Sequence, residues 1–226
     1  MNSDCVILLH GLGRLKSSMG KLEQAFINAG FDVVNWSYPS TKLNITNIAY
    51  KLYDVVKMNS GYYNNVYFVT HSLGGIVVRR MMKIFKIKNL DGIVMIAPPN
   101  NASVFARWIL KYSIIKKMIG PVGQELMEKK YMQTICAVPE SGVMVIAGTK
   151  NLSSNNPNSW LSQSILTRPH DGTVTVQETK LPNMDRFITV RDSHTFIISN
   201  PDVIKEAVKF LKQRSNMDRV RKNNFI

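Results

Sequence analysis

Val66-Tyr67-Phe68-Val69-Thr70-His71-Ser72-Leu73-Gly74-Gly75 joins two patterns with no loop between them. Val66 to Val69 is an apolar run of β-branched and aromatic residues, the mark of a buried strand, so a strand is expected over Val66–Thr70. From Leu73 to Phe85, Ile76, Val77 and Met81 recur at helical spacing, so a helix begins as the strand ends. A serine at such a junction, here Ser72, must sit on a sharp turn that exposes its hydroxyl. Small residues two positions to either side let that turn approach its neighbours. Gly74 is one of them, but Thr70 stands where the other is usually glycine. The match to G-x-S-x-G therefore rests on Ser72, Gly74 and the strand–turn–helix setting. The competing reading is an ordinary serine capping the helix from Leu73.

The alternation extends in both directions. Upstream, Cys5-Val6-Ile7-Leu8-Leu9 is a second apolar run, closed by His10-Gly11. Met19, Leu22, Phe26 and Ile27 follow at helical spacing, and Gly30 is the stop. Phe31 to Trp36 reads as a strand, and Ile45, Ile48, Ala49, Leu52, Tyr53, Val55 and Val56 as an amphipathic helix ending near Gly61. Downstream, Gly92 to Ala97, Gly142 to Ala147 and Arg186 to Val190 read as three more strands. Asn200 and Pro201 suit the N-cap and first position of a last helix, expected to run to about Arg214. The pattern predicts a single α/β domain over residues 1–226. Its sheet is mostly parallel, with six or seven strands and helices on both faces.

Three stretches depart from the alternation. Asn100 to Val138 is helical in character but holds no strand. Phe105, Trp108, Ile109, Tyr112, Ile115 and Ile119 give it an apolar face, and Arg107, Lys111, Lys116 and Lys117 give it positive charge. Such a face either packs over a pocket with its cations in water, or rests in a membrane interface. Thr149 to His170, rich in Asn and Ser with Pro157 and Pro169, reads as a loop. Residues 216–226 are polar and basic and are expected to fray.

At 226 residues the chain can bury a core without disulfide staples, and at 45% hydrophobic it is not a disordered chain. Cys5 and Cys136 lack the spacing of a metal site and read as buried thiols. No apolar run approaches the ~20 residues of a membrane span. Met1-Asn2-Ser3-Asp4 has no basic region ahead of the short run from Cys5, so a cytoplasmic protein is expected. Lys and Arg number 29 against 15 Asp and Glu, a net charge of +14. That charge suits nucleic acid, an anionic membrane or an acidic partner, and equally a solvated surface. Zinc-finger spacing, RNP-like motifs and basic heptads are all missing, so nucleic acid is not an expected partner.

A serine nucleophile needs a base, a carboxylate to orient the base, and donors for the oxyanion. There are four histidines: His10, His71, His170 and His194. His71 adjoins Ser72, but the sharp turn aims its side chain elsewhere. His10 closes the first strand. In an open α/β sheet, functional groups gather beyond the carboxyl ends of the strands. Ser72, Asp171 and His194 all follow strands in this way. The reading is His194 as base and Asp171 as orienting acid. His170 is the alternative base, and Asp192, two residues from His194, the alternative acid. His10-Gly11-Leu12-Gly13 ends the first strand in a turn whose glycines let backbone N–H groups face the site. The N–H groups of Leu12 and Leu73 are the expected oxyanion donors. A dinucleotide loop would need a third glycine where Lys16 stands.

With His10-Gly11-Leu12-Gly13, Thr70-His71-Ser72-Leu73-Gly74-Gly75, Asp171-Gly172-Thr173-Val174 and Asp192-Ser193-His194 in the chain order Ser, acid, His, the sequence resembles the lipase and esterase branch of the α/β-hydrolase superfamily. The resemblance implies an α/β-hydrolase fold, here compact because the chain starts almost at the His-Gly strand. It also implies a cap after the fourth strand, where Asn100 to Val138 lies. The implied chemistry is cleavage of a carboxylic ester or lipid through an acyl-enzyme, with no metal or organic cofactor. Transient contact of the basic cap with an anionic membrane surface is a further expectation. A thioesterase or acyltransferase using the same acyl-enzyme, and a non-catalytic binding protein on this fold, stay open.

Overall fold

Period-2 alternation in the strands decides which side chains meet which helices. The computed structural model describes residues 3–127, 129–140, 142–151, 160 and 162–223. Six strands lie in the order β2-β1-β3-β4-β5-β6: β1 (Cys5–Leu9), β2 (Asp32–Trp36), β3 (Val66–His71), β4 (Leu90–Ile96), β5 (Val143–Gly148) and β6 (Arg186–Val190). Every neighbouring pair is parallel. In the central strands Cys5, Ile7, Leu9, Val66, Phe68, Ile93, Met95, Val143 and Val145 point to one face. They pack there on α2 (Ile45–Ser60) and α3 (Leu73–Ile84). Val6, Leu8, Tyr67, Val69, Val94, Ile96, Met144 and Ile146 point to the other face. They meet Leu22 and Phe26 of α1 (Gly20–Asn28), and Val203, Ala207 and Leu211 from the helix at Pro201–Asn223. Each such side chain contributes roughly 1.5–3 kcal/mol by leaving water, which is why the four inner strands read as continuous apolar runs.

Between β4 and β5 the described residues form four short helices: α4 (Val104–Ile109), α5 (Ser113–Ile119), α6 (Pro121–Glu125) and α7 (Lys129–Ile135). The single apolar face expected here is thus divided. Phe105, Trp108 and Ile109 belong to α4, Ile115 and Ile119 belong to α5, and Tyr112 lies between them, exposed. A short helix α8 (Val176–Thr179) precedes β6, and α9 (Pro201–Asn223) ends the described chain. Asn200 caps α9 as expected, its side-chain oxygen accepting the Asp202 N–H at 2.9 Å. The helix does not stop near Arg214. Arg214 ties it to the sheet instead, its guanidinium within 3.0 Å of Asp91 and 3.2 Å of Asp185. Residues 216–223 are therefore helical rather than a frayed end, and 224–226 lie outside the described residues. The loop reading of Thr149 to His170 falls partly on residues 152–159 and 161, which also lie outside the described residues.

The strand order places the site. From β1 the chain steps outward to β2, then returns past β1 to β3 and continues to β6. The connections after β1 and β3 therefore diverge, leaving a crevice at the carboxyl ends of these two strands. Gly11 to Gly13 follow β1, and Ser72 follows β3. The connections after β5 and β6 bring Asp171 and His194 to the same end of the sheet.

Candidate active site

Ser72 takes φ +51° and ψ −116°, a conformation that side-chain-bearing residues rarely adopt. The turn is fixed on both sides: the Ser72 N–H donates to the Ile96 carbonyl at 2.9 Å, and the Gly75 N–H donates to the Ser72 carbonyl at 3.1 Å. Close packing explains the glycines. A Cβ on Gly74 would lie 2.8 Å from the backbone oxygen of Leu9. A Cβ on Gly11 would meet His71 Nδ1 at 2.7 Å. Thr70, the departure from the usual pattern, is fully buried and its hydroxyl donates to the Val94 carbonyl at 3.3 Å. A Cβ on Gly75 would sit 3.2 Å from that hydroxyl. The second glycine after Leu73 thus makes the room that a glycine at position 70 would otherwise supply.

Gly74→Ala tests this packing. The added methyl gains about 1 kcal/mol of helix propensity. Its clash is with backbone that cannot rotate away, so the overpacking cost of typically 1–3 kcal/mol should win. A net destabilisation of about 1–2 kcal/mol is expected in urea unfolding. An unchanged midpoint would mean that α3 is not held against β1 as described.

His194 stands between Ser72 and Asp171. Its Nδ1 is 2.7 Å from Asp171 Oδ2 and its Nε2 is 3.0 Å from Ser72 Oγ. A carboxylate can only accept, so Nδ1 carries the proton and Nε2 is left bare to accept from the serine hydroxyl. Asp171 is fully buried, but its charge is not orphaned. Its Oδ1 accepts the N–H groups of Thr173 at 2.9 Å and Val174 at 2.7 Å, and its own carbonyl accepts the His194 N–H at 2.9 Å. Gly148, at the end of β5, lets this acid approach: a Cβ there would lie 2.7 Å from Asp171 Cβ.

The other histidines are committed elsewhere. His10 is buried and stacks on Tyr38 with ring centroids 4.2 Å apart. Its Nδ1–H donates to the Gly11 carbonyl at 2.9 Å, and burial pushes its pKa down. His71 points away from Ser72 Oγ and donates from Nε2 to the His194 carbonyl at 3.0 Å, supporting the loop that carries His194. Burial, followed by the neighbouring His194, lowers its pKa well below the usual histidine value. His170, the alternative base, is buried and accepts the Gly172 N–H at 3.1 Å. Asp192, the alternative acid, accepts from the Ser193 N–H at 2.7 Å and the Asn200 amide at 3.0 Å, fixing the start of the last helix. Cys5 and Cys136 are both buried, and burial pushes their thiols up to about 12 and about 11, so neither is a ready thiolate.

A cavity of about 380 Å³ opens onto Ser72 and His194. Leu12, from the turn after β1, lines it, and Leu73 opens α3 so that its N–H has no partner within the helix. Phe105, Ile109, Ile119 and Leu126 supply an apolar wall from the segment between β4 and β5. Among the lining residues that the sequence does not single out are Arg14 and Thr195. The Arg14 guanidinium donates to the Thr195 carbonyl at 3.0 Å, linking the turn after β1 to the loop of His194. The only signal for Arg14 was a cation directly after His10-Gly11-Leu12-Gly13.

Neither a protein-family model nor a curated protein sequence matches this chain. Solved structures do match. The mature form of the lipase BlEst2 from Bacillus licheniformis is 16% identical, with 87% of each chain covered and a TM-score of 0.66. The metagenomic carboxyl esterase MGS0156 is 13% identical over 96% of this chain and 76% of its own, with a TM-score of 0.70. Phospholipase PlaB from Legionella pneumophila is 16% identical over 99% of this chain and 65% of its own, with a TM-score of 0.67. At these identities the likeness is one of fold. With six parallel strands, helices on both faces and a strained serine turn after the third strand, the chain has the α/β-hydrolase fold.

Proposed function

We propose that this chain is a serine hydrolase of carboxylic esters, with Ser72 as nucleophile, His194 as general base and Asp171 as the acid that orients it. The observation that carries the reading is the position of His194, 2.7 Å from Asp171 Oδ2 and 3.0 Å from Ser72 Oγ. His194 Nε2 takes the Ser72 proton as Oγ attacks the ester carbonyl. The N–H groups of Leu12 and Leu73 receive the developing oxyanion. The imidazolium, stabilised by Asp171, returns its proton to the departing alcohol. Water then enters, gives a proton to His194 and attacks the acyl-enzyme; the acid leaves and Ser72 regains its proton. A fluorophosphonate probe should label Ser72, and nitrophenyl esters of rising chain length should be hydrolysed. A chain that neither labels nor hydrolyses any of them is a binding protein on this fold. Supplying alcohols as acceptors, and thioesters as donors, separates hydrolysis from acyl transfer.

The segment between β4 and β5 supports a lipid-facing role as a cap. Ile114 and Met118, one helical turn apart on α5, are 76% and 72% exposed. Lys111, Lys116 and Lys117 are exposed beside them. An exposed apolar ridge among lysines suits the interface of an anionic membrane. Trp108 is half-buried against Phe105 and Tyr112, so Ile114 is the better probe. The rate on a short ester should rise several-fold as it passes from dissolved to micellar, more so with anionic lipid and less with added salt. Ile114→Ser should reduce that rise more than it reduces hydrolysis of the dissolved ester. A simple saturation curve through the micelle threshold, with Ile114→Ser affecting both forms alike, would mean a cap without a lipid-facing role.

A further inference from the structure

Arg14 lines the same cavity as Ser72 and His194 and is half-buried. Of the described residues that line this cavity, it alone carries a permanent charge. One of its five N–H groups donates to the Thr195 carbonyl, and none of the ion pairs among the described residues includes it. Its burial, which lowers its pKa, takes charge out of water with no ion-paired anion among the described residues to offset the cost. A guanidinium held at one edge by a carbonyl, with its remaining N–H groups free, is built to grip two oxygens of one anion.

We propose that Arg14 is a specificity-determining residue that binds an anionic group, a phosphate or a carboxylate, on the alcohol part of the ester substrate. The inference rests on the ester-hydrolase reading and adds the substrate class to it. The apolar wall from Phe105, Ile109 and Ile119 accepts the acyl chain. The alcohol leaves on the side of His194, because His194 must hand it a proton. Arg14 is bonded to Thr195, the next residue after His194, so its charge stands on that side. A neutral alcohol would leave this charge unpaired, whereas an alcohol bearing a phosphate or carboxylate would pair with it. The rival account is mechanical: Arg14 only ties the turn after β1 to the loop of His194.

Matched butyryl esters of glycerol, glycerol 3-phosphate and glycolate separate the two accounts. The wild-type chain should prefer an anionic ester over the neutral one. Arg14→Met should lower kcat/KM on the preferred anionic ester about 10- to 100-fold more than on the glycerol ester, chiefly through KM, as expected for a lost charge-assisted hydrogen bond. Arg14→Lys should restore part of the preference, since the charge returns without the fork. The arm that loses the larger factor identifies phosphate or carboxylate as the group bound. Equal losses on all three esters, or no anionic preference in the wild type, overturn the proposal in favour of the mechanical account. If no ester is cleaved, the ester-hydrolase reading fails by itself, and calorimetry with glycerol 3-phosphate decides the anion site. Binding weakened by Arg14→Met keeps the site; undetectable binding removes it.

Discussion

Ser72→Ala is expected to reduce ester hydrolysis by about 10⁴- to 10⁶-fold in kcat, the scale on which removing a nucleophile that acts with its base abolishes turnover. The substitution removes one oxygen and leaves Cβ where it is. The backbone at φ +51° is no more strained for alanine than for serine. The contacts that fix the turn are backbone hydrogen bonds, from the Ser72 N–H to Ile96 and from the Gly75 N–H to the Ser72 carbonyl, and they survive. The one bond lost is that with His194 Nε2, worth roughly 1 kcal/mol or less in stability. Circular dichroism and the urea midpoint should therefore stay near those of the parent while activity and fluorophosphonate labelling vanish together. A variant that keeps a tenth of the parent rate with an intact fold would show that the nucleophile lies elsewhere.

What could be read in advance depended on how local the determining physics is. The sharp turn at Ser72 was legible because the run to Val69 and the helical spacing from Leu73 abut in sequence. That Asp171 and His194 meet Ser72 at one end of the sheet was legible because parallel sheets gather their loops at one edge, so position after a strand carried information. Asp192 shows the limit. It is closer to His194 in sequence than Asp171 is, and only the fold reveals that Ser193 and Asn200 occupy its oxygens. The division of the segment after β4 was hidden for the same reason. Gly120 breaks it at φ +72°, where a Cβ would lie 1.8 Å from the Thr41 carbonyl oxygen, a neighbour about eighty residues earlier. The length of α9 likewise depends on Arg214 reaching Asp91 and Asp185 across the sheet. Arg14 was visible as a charge, but charge alone does not say that a side chain turns inward to Thr195.

Asp171→Asn should cost about 10³- to 10⁴-fold in kcat, although it changes one atom and no volume. The magnitude follows from proton positions. Asp171 Oδ1 accepts two backbone N–H groups, from Thr173 and Val174, so an asparagine here would keep its carbonyl oxygen on that side. Its amide NH2 would then occupy the place of Oδ2, 2.7 Å from His194 Nδ1. An NH2 donates, so Nδ1 must be bare to accept, and the imidazole proton moves to Nε2. With that proton in place, Nε2 cannot take the proton of Ser72 Oγ, and the imidazolium formed in the reaction loses its anion. Binding of a dissolved ester should change little, so the loss belongs in kcat rather than KM. Asp192→Asn is the control, since its oxygens face Ser193 and Asn200 and never His194. It should keep activity within about threefold, a change of the size expected away from the reacting groups. Should Asp192→Asn be the more damaging of the two, the orienting carboxylate is misassigned and the histidine loop must rearrange before it acts.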